Sequence, residues 1–477
     1  MDSDQNSFIE TFRTFLEDVI QSSHRDSRLT PMGELVEQHL GADATAVPAV
    51  TETILGHRLV DADLAMAELR TRSESRLVGI SHGQMRMGED LPGLLTNSHV
   101  SFAPGPVDYV SIATGPDTER QVVASGLHLF EFRGQPVAVL QREARPQFGQ
   151  EHARLEIMAT DPAITAALIR EVRQLMVHLS VLRGQVLSLT GSEFGNGAAG
   201  AAFLARPTVA AGDVVLADGV LDQVVRHVVG IGAQRERLVA AGQHLKRGVL
   251  LYGPPGTGKT LTVRHLLART PGTTAVLLTG PGIRFITEAA ELARAMQPAI
   301  VVLEDVDLVA GDREMHFGPQ PLLFSVLDAL DGLDGDADVT FLLTTNRVEL
   351  LERALAERPG RVDLAVEIDL PDADTRRRLF ALYSNGLPFS SGAVVAAADR
   401  ATGVTGSFAK ELVRRAVLTA AEASRDVTDD DLADALEQLL SAREALTRSL
   451  LGGPGGDEPG IDFGQGDDDD GITFEPR

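Results

Sequence analysis

Hydrophobic spacing changes character several times along the chain, and each change predicts a different kind of element. Phe8, Ile9, Phe12, Phe15, Leu16, Val19 and Ile20 recur at helical intervals. From about Val107 to Ala159 the apolar residues come instead in short runs of strand type: 107–112, 126–132, 136–140 and 153–159. Arg133-Gly134 supplies a hairpin turn between the second and third. Asp161-Pro162 then offers an N-cap and a first-turn proline for a helix reaching about Leu182. Ile164, Leu168, Val172, Leu175, Met176, Leu179 and Leu182 form its apolar stripe. This first half reads as α+β.

The second half alternates strand and helix. After a largely helical stretch over Gly219–Leu245, strands are predicted at 248–252, 274–278, 299–303 and 339–344. Helices are predicted between them at 261–268, 288–296 and 321–330. Such alternation builds a parallel sheet covered on both faces, with ligands at the carboxyl ends of its strands. Beyond Pro371 only helical patterns follow, at 373–384, 392–401, 407–424 and 428–446. The expected organisation is an N-terminal α+β domain over 1–190, a linker over 191–213 and an α/β nucleotide domain over 214–371. A helical lid over 372–451 and an acidic tail over 452–477 complete it. The linker is placed at GSEFGNGAAG because glycine and small residues dominate there.

Totals narrow the class. A chain of 477 residues calls for more than one core. Zero cysteine excludes disulfides, thiolate zinc sites and cysteine nucleophiles, and suits a reducing, cytoplasmic setting. The N-terminal MDSDQNSFIETF has no signal-peptide core, and no apolar run reaches the ~18 residues of a membrane span. Net charge is −25, which disfavours a nucleic-acid partner held by phosphate neutralisation. Residues 452–477 hold eight acids and one base, the composition of a solvated, disordered tail. His128, His152 and His178 stand alone, without the spacing of metal ligands.

The chemistry concentrates at Gly253-Pro254-Pro255-Gly256-Thr257-Gly258-Lys259-Thr260. A strand enters this stretch and a helix beginning near Leu261 leaves it, which is the context a phosphate-cradling loop requires. Backbone N–H groups and the helix dipole then converge on one point, and the glycines admit phosphate oxygens closely. Lys259 is placed on the β- and γ-phosphates and Thr260 on Mg2+. Downstream, Glu304 and Asp305 end an apolar strand: one carboxylate for the metal side and one to polarise a water. Asn346 ends the next strand, within reach of that water or the γ-phosphate. Arg358 and Arg361 lie in a later turn, where a guanidinium can stabilise transition-state charge across a subunit boundary.

With these residues together, the stretch from about Leu216 to Leu446 resembles the AAA family of AAA+ ATPases. GPPGTGKT resembles its Walker A. Leu327–Leu333, Thr345-Asn346 and Glu357–Asp363 resemble its second region of homology. The resemblance implies a P-loop parallel sheet with a helical lid, ATP and Mg2+ as ligands, and a homo-oligomeric ring, commonly a hexamer. It assigns Asn346 to sensor 1, Arg358 and Arg361 to arginine fingers, and Gly403 and Gly406 to the sensor-2 region. By position, Asp218 and Gly219 fall at the adenine pocket.

Two departures stand out. The family usually ends Walker B in Asp-Glu, whereas this chain has Glu304-Asp305. By register Glu304 takes the metal-side position and Asp305 the water-activating one, an order shared with the mitochondrial Rieske-protein translocase branch. Where the family has a polypeptide-gripping pore loop, this chain has Phe285-Ile286 followed by Thr287 in place of glycine. Two readings of Phe285 stand: a channel residue or a packing residue. The expected function is an ATP-hydrolysing ring that remodels or threads a protein client recruited by the N-terminal half. The alternative is a nucleotide-gated scaffold with little turnover.

Overall fold

The computed structural model describes residues 29–81, 88–97, 100–145, 149–191, 199–307, 337–348 and 362–450. The expected helix over 8–20, the helix over 321–330, the segment 327–333, Arg358, Arg361 and the acidic tail lie outside them. The chain forms two units that divide between Asp369 and Leu370.

The N-terminal half is built on an antiparallel sheet of seven strands. These are β1 (Ala49–Ile54), β2 (Ser75–Ile80), β3 (Pro104–Gly105), β4 (Asp108–Ala113), β5 (Glu119–Phe132), β6 (Gln135–Arg142) and β7 (Ala153–Ala159). Their order is β1-β7-β6-β5-β2-β3, with β4 also paired to β5. Helices α1 (Pro31–Leu40), α2 (Leu59–Thr71), α3 (Leu91–Leu95) and α4 (Pro162–His178) complete it. Val137 and Val139 of β6 pack with Phe130, Ile157 and the apolar residues of α2 and α4. Ala138 and Leu140 pack on the other face with Leu127, Met158 and residues of α1 and α3. Burial on both faces is why this strand reads as a continuous apolar run.

The predicted turn at Arg133-Gly134 forms between Phe132 and Gln135, with φ of +53° and +75°. Two consecutive positive φ values match the strand twist of a two-residue hairpin. The expected strand at Gly126 begins earlier, at Glu119, because β4 pairs along its polar first half. The helix opened by Asp161 closes at His178, four residues before the expected Leu182. The buried Asp61 carboxylate of α2 draws the chain away there: it accepts from Ser180 Oγ at 2.9 Å and from Val181 N at 3.1 Å.

The second sheet is organised as the alternation predicts. Strands β10 (Arg247–Tyr252), β11 (Thr274–Thr279), β12 (Ala299–Glu304), β13 (Val339–Thr345) and β14 (Leu364–Glu367) run parallel, in the order β14-β10-β13-β12-β11. Beyond β11 the sheet continues into β8 (Val186–Gly191) and β9 (Ala199–Leu204). β8 pairs parallel with β11, and β9 turns back antiparallel to β8. The glycine-rich stretch expected to be a linker therefore supplies strand residues at both ends. Gly191, Ala199 and Gly200 carry no alternating pattern, yet Gly191 pairs with Ala199 and Gly200 with Thr190 across the two strands.

The helical stretch after Asp218 is broken into α5 (Val220–Val225), a π-helical turn at Arg226–Gly230, a short turn at Ile231–Ala233 and α6 (Arg235–Ala240). α7 (Lys259–Ala268) packs Val263, Leu266 and Leu267 on Val249, Leu251, Ile300 and Val302. α8 (Ile286–Ala295) covers the opposite face over Val276, Val301, Leu303 and Phe341.

The second unit contains α9 (Ala373–Ser384), α10 (Ser391–Arg400), α11 (Gly406–Glu422) and α12 (Asp429–Leu450). Asp372, Ser390 and Thr405 each accept a backbone N–H at a helix start. Phe380, Ala398, Leu412, Ala416, Leu432 and Leu436 form its core.

Candidate nucleotide site

The phosphate loop leaves β10 at Tyr252 and enters α7 at Lys259. Gly253, Gly256 and Gly258 take φ of +137°, +79° and +113°. A side chain at Gly253 would also place its Cβ 2.2 Å from Ile368 O, so this position needs glycine twice over. Lys259 Nζ donates to Gly253 O at 2.7 Å and Pro254 O at 2.8 Å, and Thr257 Oγ1 donates to Pro254 O at 2.9 Å. The ammonium is therefore held over the loop it is meant to serve. Burial lowers the Lys259 pKa, while the charges of Asp305 and Asp307 act to raise it. Leu261 is half-buried against the α7 face of the sheet.

The loop lies beside the ends of β12 and β13. Asp305 has φ +52°, a left-handed conformation that aspartate tolerates better than most side chains. Its N–H donates to Thr344 Oγ1 at 3.0 Å, and its Oδ1 accepts from Asn346 Nδ2 at 3.2 Å. The buried Asp307 carboxylate accepts from Thr345 Oγ1 at 2.9 Å and from Asn346 N at 3.0 Å. The Glu304 pKa is raised by burial and by the Asp305 charge; a hydrogen bond to Thr260 and the Arg264 charge oppose the rise. Glu304 and the Thr260 hydroxyl are thus in contact, a pair of hard oxygen ligands that fits a divalent cation.

The structure brings together Lys259, Thr260, Glu304, Asp305 and Asn346. Asp218 and Gly219 are exposed just ahead of α5, two residues past Leu216. A Cβ at Gly258 would lie 3.6 Å from Leu216 Cδ2, so that segment passes along the phosphate loop. Gly403 (φ +66°) and the buried Gly406 belong to the second unit, at the start of α11. Phe285 and Ile286 are 4% and 1% exposed and pack in the core under β11 and β12. Their burial favours the packing reading. Thr344 and Asp307 were missed as functional positions. Their signal was present, since polar residues at the ends of buried strands need partners.

His128 is buried, His152 and His178 are exposed, and no cluster of metal-ligating residues occurs among the described residues.

A parallel sheet with a glycine loop after its β10 strand, and carboxylates and an amide at the ends of the two neighbouring strands, defines a P-loop nucleotide-binding protein of the AAA+ type. Residues 249–370 match the model of the ATPase family associated with various cellular activities (AAA). This segment is thus similar to the ATPase domain of the AAA family, and the relatives it matches carry that likeness beyond the segment.

Similar proteins include the ATP-dependent zinc metalloprotease FtsH 2 of Sphaerobacter thermophilus, 33% identical over 48% of this chain and 37% of that protein. The 26S protease regulatory subunit 6A of Caenorhabditis elegans is 33% identical over 38% of this chain and 44% of its own length. The proteasome-activating nucleotidase of Methanothermobacter thermautotrophicus is 32% identical over 42% of this chain and 52% of that protein. The chain spans about half the length of these relatives or less. No described helix is long and apolar enough to cross a membrane.

Proposed function

We propose that this chain binds and hydrolyses ATP with Mg2+ in a homo-oligomeric ring, a hexamer, and uses the cycle to remodel a protein client. The observation that carries the reading is the bond from Asn346 to Asp305 beside the Lys259 loop. Lys259 and the loop amides bind the phosphates. Thr260 and Glu304 would hold the metal, which when bound offsets charge on the phosphate oxygens. Asp305 accepts the proton of the attacking water, and Asn346 orients that water and the γ-phosphate. Arg358 and Arg361 supply guanidinium charge to the neighbouring protomer's nucleotide. Asp218 and Gly219 flank the base, while Gly403 and Gly406 keep the sensor-2 assignment that the family resemblance gives them.

A protein client is favoured by the company the chain keeps: relatives named for protease regulation and proteasome activation. With Phe285 in the core, client handling falls to other surfaces, and the N-terminal half is assigned recruitment. A nucleotide-gated scaffold is the second reading. It is favoured by the short Asp305 carboxylate, which Asn346 already engages.

Phosphate release measured against protein concentration separates the two. The expected result is specific activity that rises as protomers associate and is lost in Asp305→Asn. No turnover in the parent protein leaves the scaffold. Full turnover by a monomer at every concentration overturns the shared-interface mechanism.

A further inference from the structure

The segment joining β9 to the nucleotide site runs along α7 from its last turn to its first. Arg206 begins it. Arg206 Nη1 donates to Leu267 O at 2.9 Å and Thr270 O at 3.2 Å, and Nη2 donates to Gly184 O at 3.0 Å and Thr273 O at 2.6 Å. One guanidinium thus ties the last turn of α7 to the turns that precede β8 and β11. Three residues on, Val209 O bonds His265 Nδ1 of α7 at 2.9 Å. Farther on, the buried Leu216 lies against Gly258 at the helix start, as described above. Asp218 and Gly219 follow at once.

The Arg206 guanidinium donates to four backbone carbonyls, two of them in the last turn of α7 or just beyond it. Those carbonyls lie at the helix end, past the last i+4 N–H partners, where a cation is also favoured by the dipole. The other end of the same helix carries Lys259 and Thr260. A ten-residue helix packed on a sheet moves as one body, so what fixes its last turn also fixes the phosphate loop. Gly184 continues the tie in the other direction. Its N–H donates to Thr274 Oγ1 at 3.0 Å, and the turn it closes begins at Val181, held by Asp61 of the N-terminal half.

We propose that Arg206 is a positioning residue for the phosphate loop, and that the strap it anchors links nucleotide occupancy to the β8–β9 hairpin and the exit of the N-terminal half. This rests on the nucleotide reading above. Asp305 and Asn346 follow other strands, β12 and β13, so the strap bears on binding rather than on the chemical step. By linkage, nucleotide that tightens the strap must also be bound more tightly when the strap is held.

The test uses the full chain, a fluorescent ATP analogue with Mg2+, and hydrogen exchange. In Arg206→Met the analogue's Kd rises about tenfold, a usual size for coupling between sites. KM for ATP rises with it, while kcat changes far less. In the parent protein the analogue slows amide exchange over 199–216; in Arg206→Met that protection is lost although the loop at 253–260 is still protected at saturation. Arg206→Lys keeps the charge but not the planar fork and recovers only part of the affinity. If Arg206→Met does not fold, Arg206→Lys alone decides, by a raised or unchanged Kd. Unchanged Kd and unchanged protection in folded variants overturn the proposal. A parent protein that binds no analogue overturns the nucleotide reading itself.

Discussion

Asn346 Nδ2 lies 3.2 Å from Asp305 Oδ1, so the amide that ends β13 holds the carboxylate that follows β12. Thr344 fixes the same aspartate from its backbone side, and Asp307 fixes the Asn346 backbone in return. Two strand ends are thereby joined by four polar side chains. The order Glu304-Asp305 is compatible with this arrangement, because a short carboxylate in a left-handed conformation reaches the amide directly.

Asp305→Asn keeps the shape of the site and removes the proton acceptor. Turnover is expected to fall about a hundredfold or more, the worth of a general base, with nucleotide affinity nearly kept. Steady-state phosphate release and a binding titration check it; unchanged kcat would assign the base elsewhere.

Thr344→Val is nearly isosteric and strips the acceptor from the Asp305 N–H. An unpaired polar group there costs about 1–3 kcal/mol. The expected signature is a lower kcat with a small change in KM, read beside the melting temperature.

Lys259→Ala removes the ammonium now resting on Gly253 O and Pro254 O. Nucleotide Kd is expected to weaken between about tenfold and a hundredfold, which corresponds to a charge-assisted bond of ~1.5–3 kcal/mol. Fluorescence anisotropy with a labelled analogue measures it.

Arg358→Ala and Arg361→Ala are expected to spare binding and lower turnover. Mixing either variant with Asp305→Asn should restore some activity, because each protomer lends what the other lacks. Normal hydrolysis by both arginine variants would remove the interface from the mechanism.

His128 is fully buried on β5, and burial with the nearby Arg70 charge pushes its pKa down to about 3 from 6.5. The unfolded chain takes up that proton below 6.5 and the folded chain does not, so stability falls as pH drops from 6.5 toward 3. His128→Leu should flatten this part of the melting-temperature profile relative to the parent protein. Parallel profiles would count against a buried neutral ring.

The nucleotide half was legible because its signals are local: apolar runs of strand length, a glycine loop and polar residues at strand ends. Arg133-Gly134 and Asp161-Pro162 were legible for the same reason, since one or two residues fix each turn or cap. What escaped depends on distant partners. Nothing around Leu182 announces that Asp61, far earlier in the chain, ends the α4 helix. Phe285 shows an aromatic beside an aliphatic residue, a pattern that serves a channel or a core equally well. The β8–β9 pair is hidden because Gly191, Ala199, Gly200, Ala201 and Ala202 show no strand alternation, and their backbones carry the pairing.

That pair also sets where the nucleotide half can be cut from the rest of the molecule. A fragment starting at residue 214 would bare the outer margin of β11, a flat apolar strand with open amides and carbonyls that invites clumping. A start upstream of Val186 retains both covering strands, and soluble expression of the two fragments would reveal the difference at once.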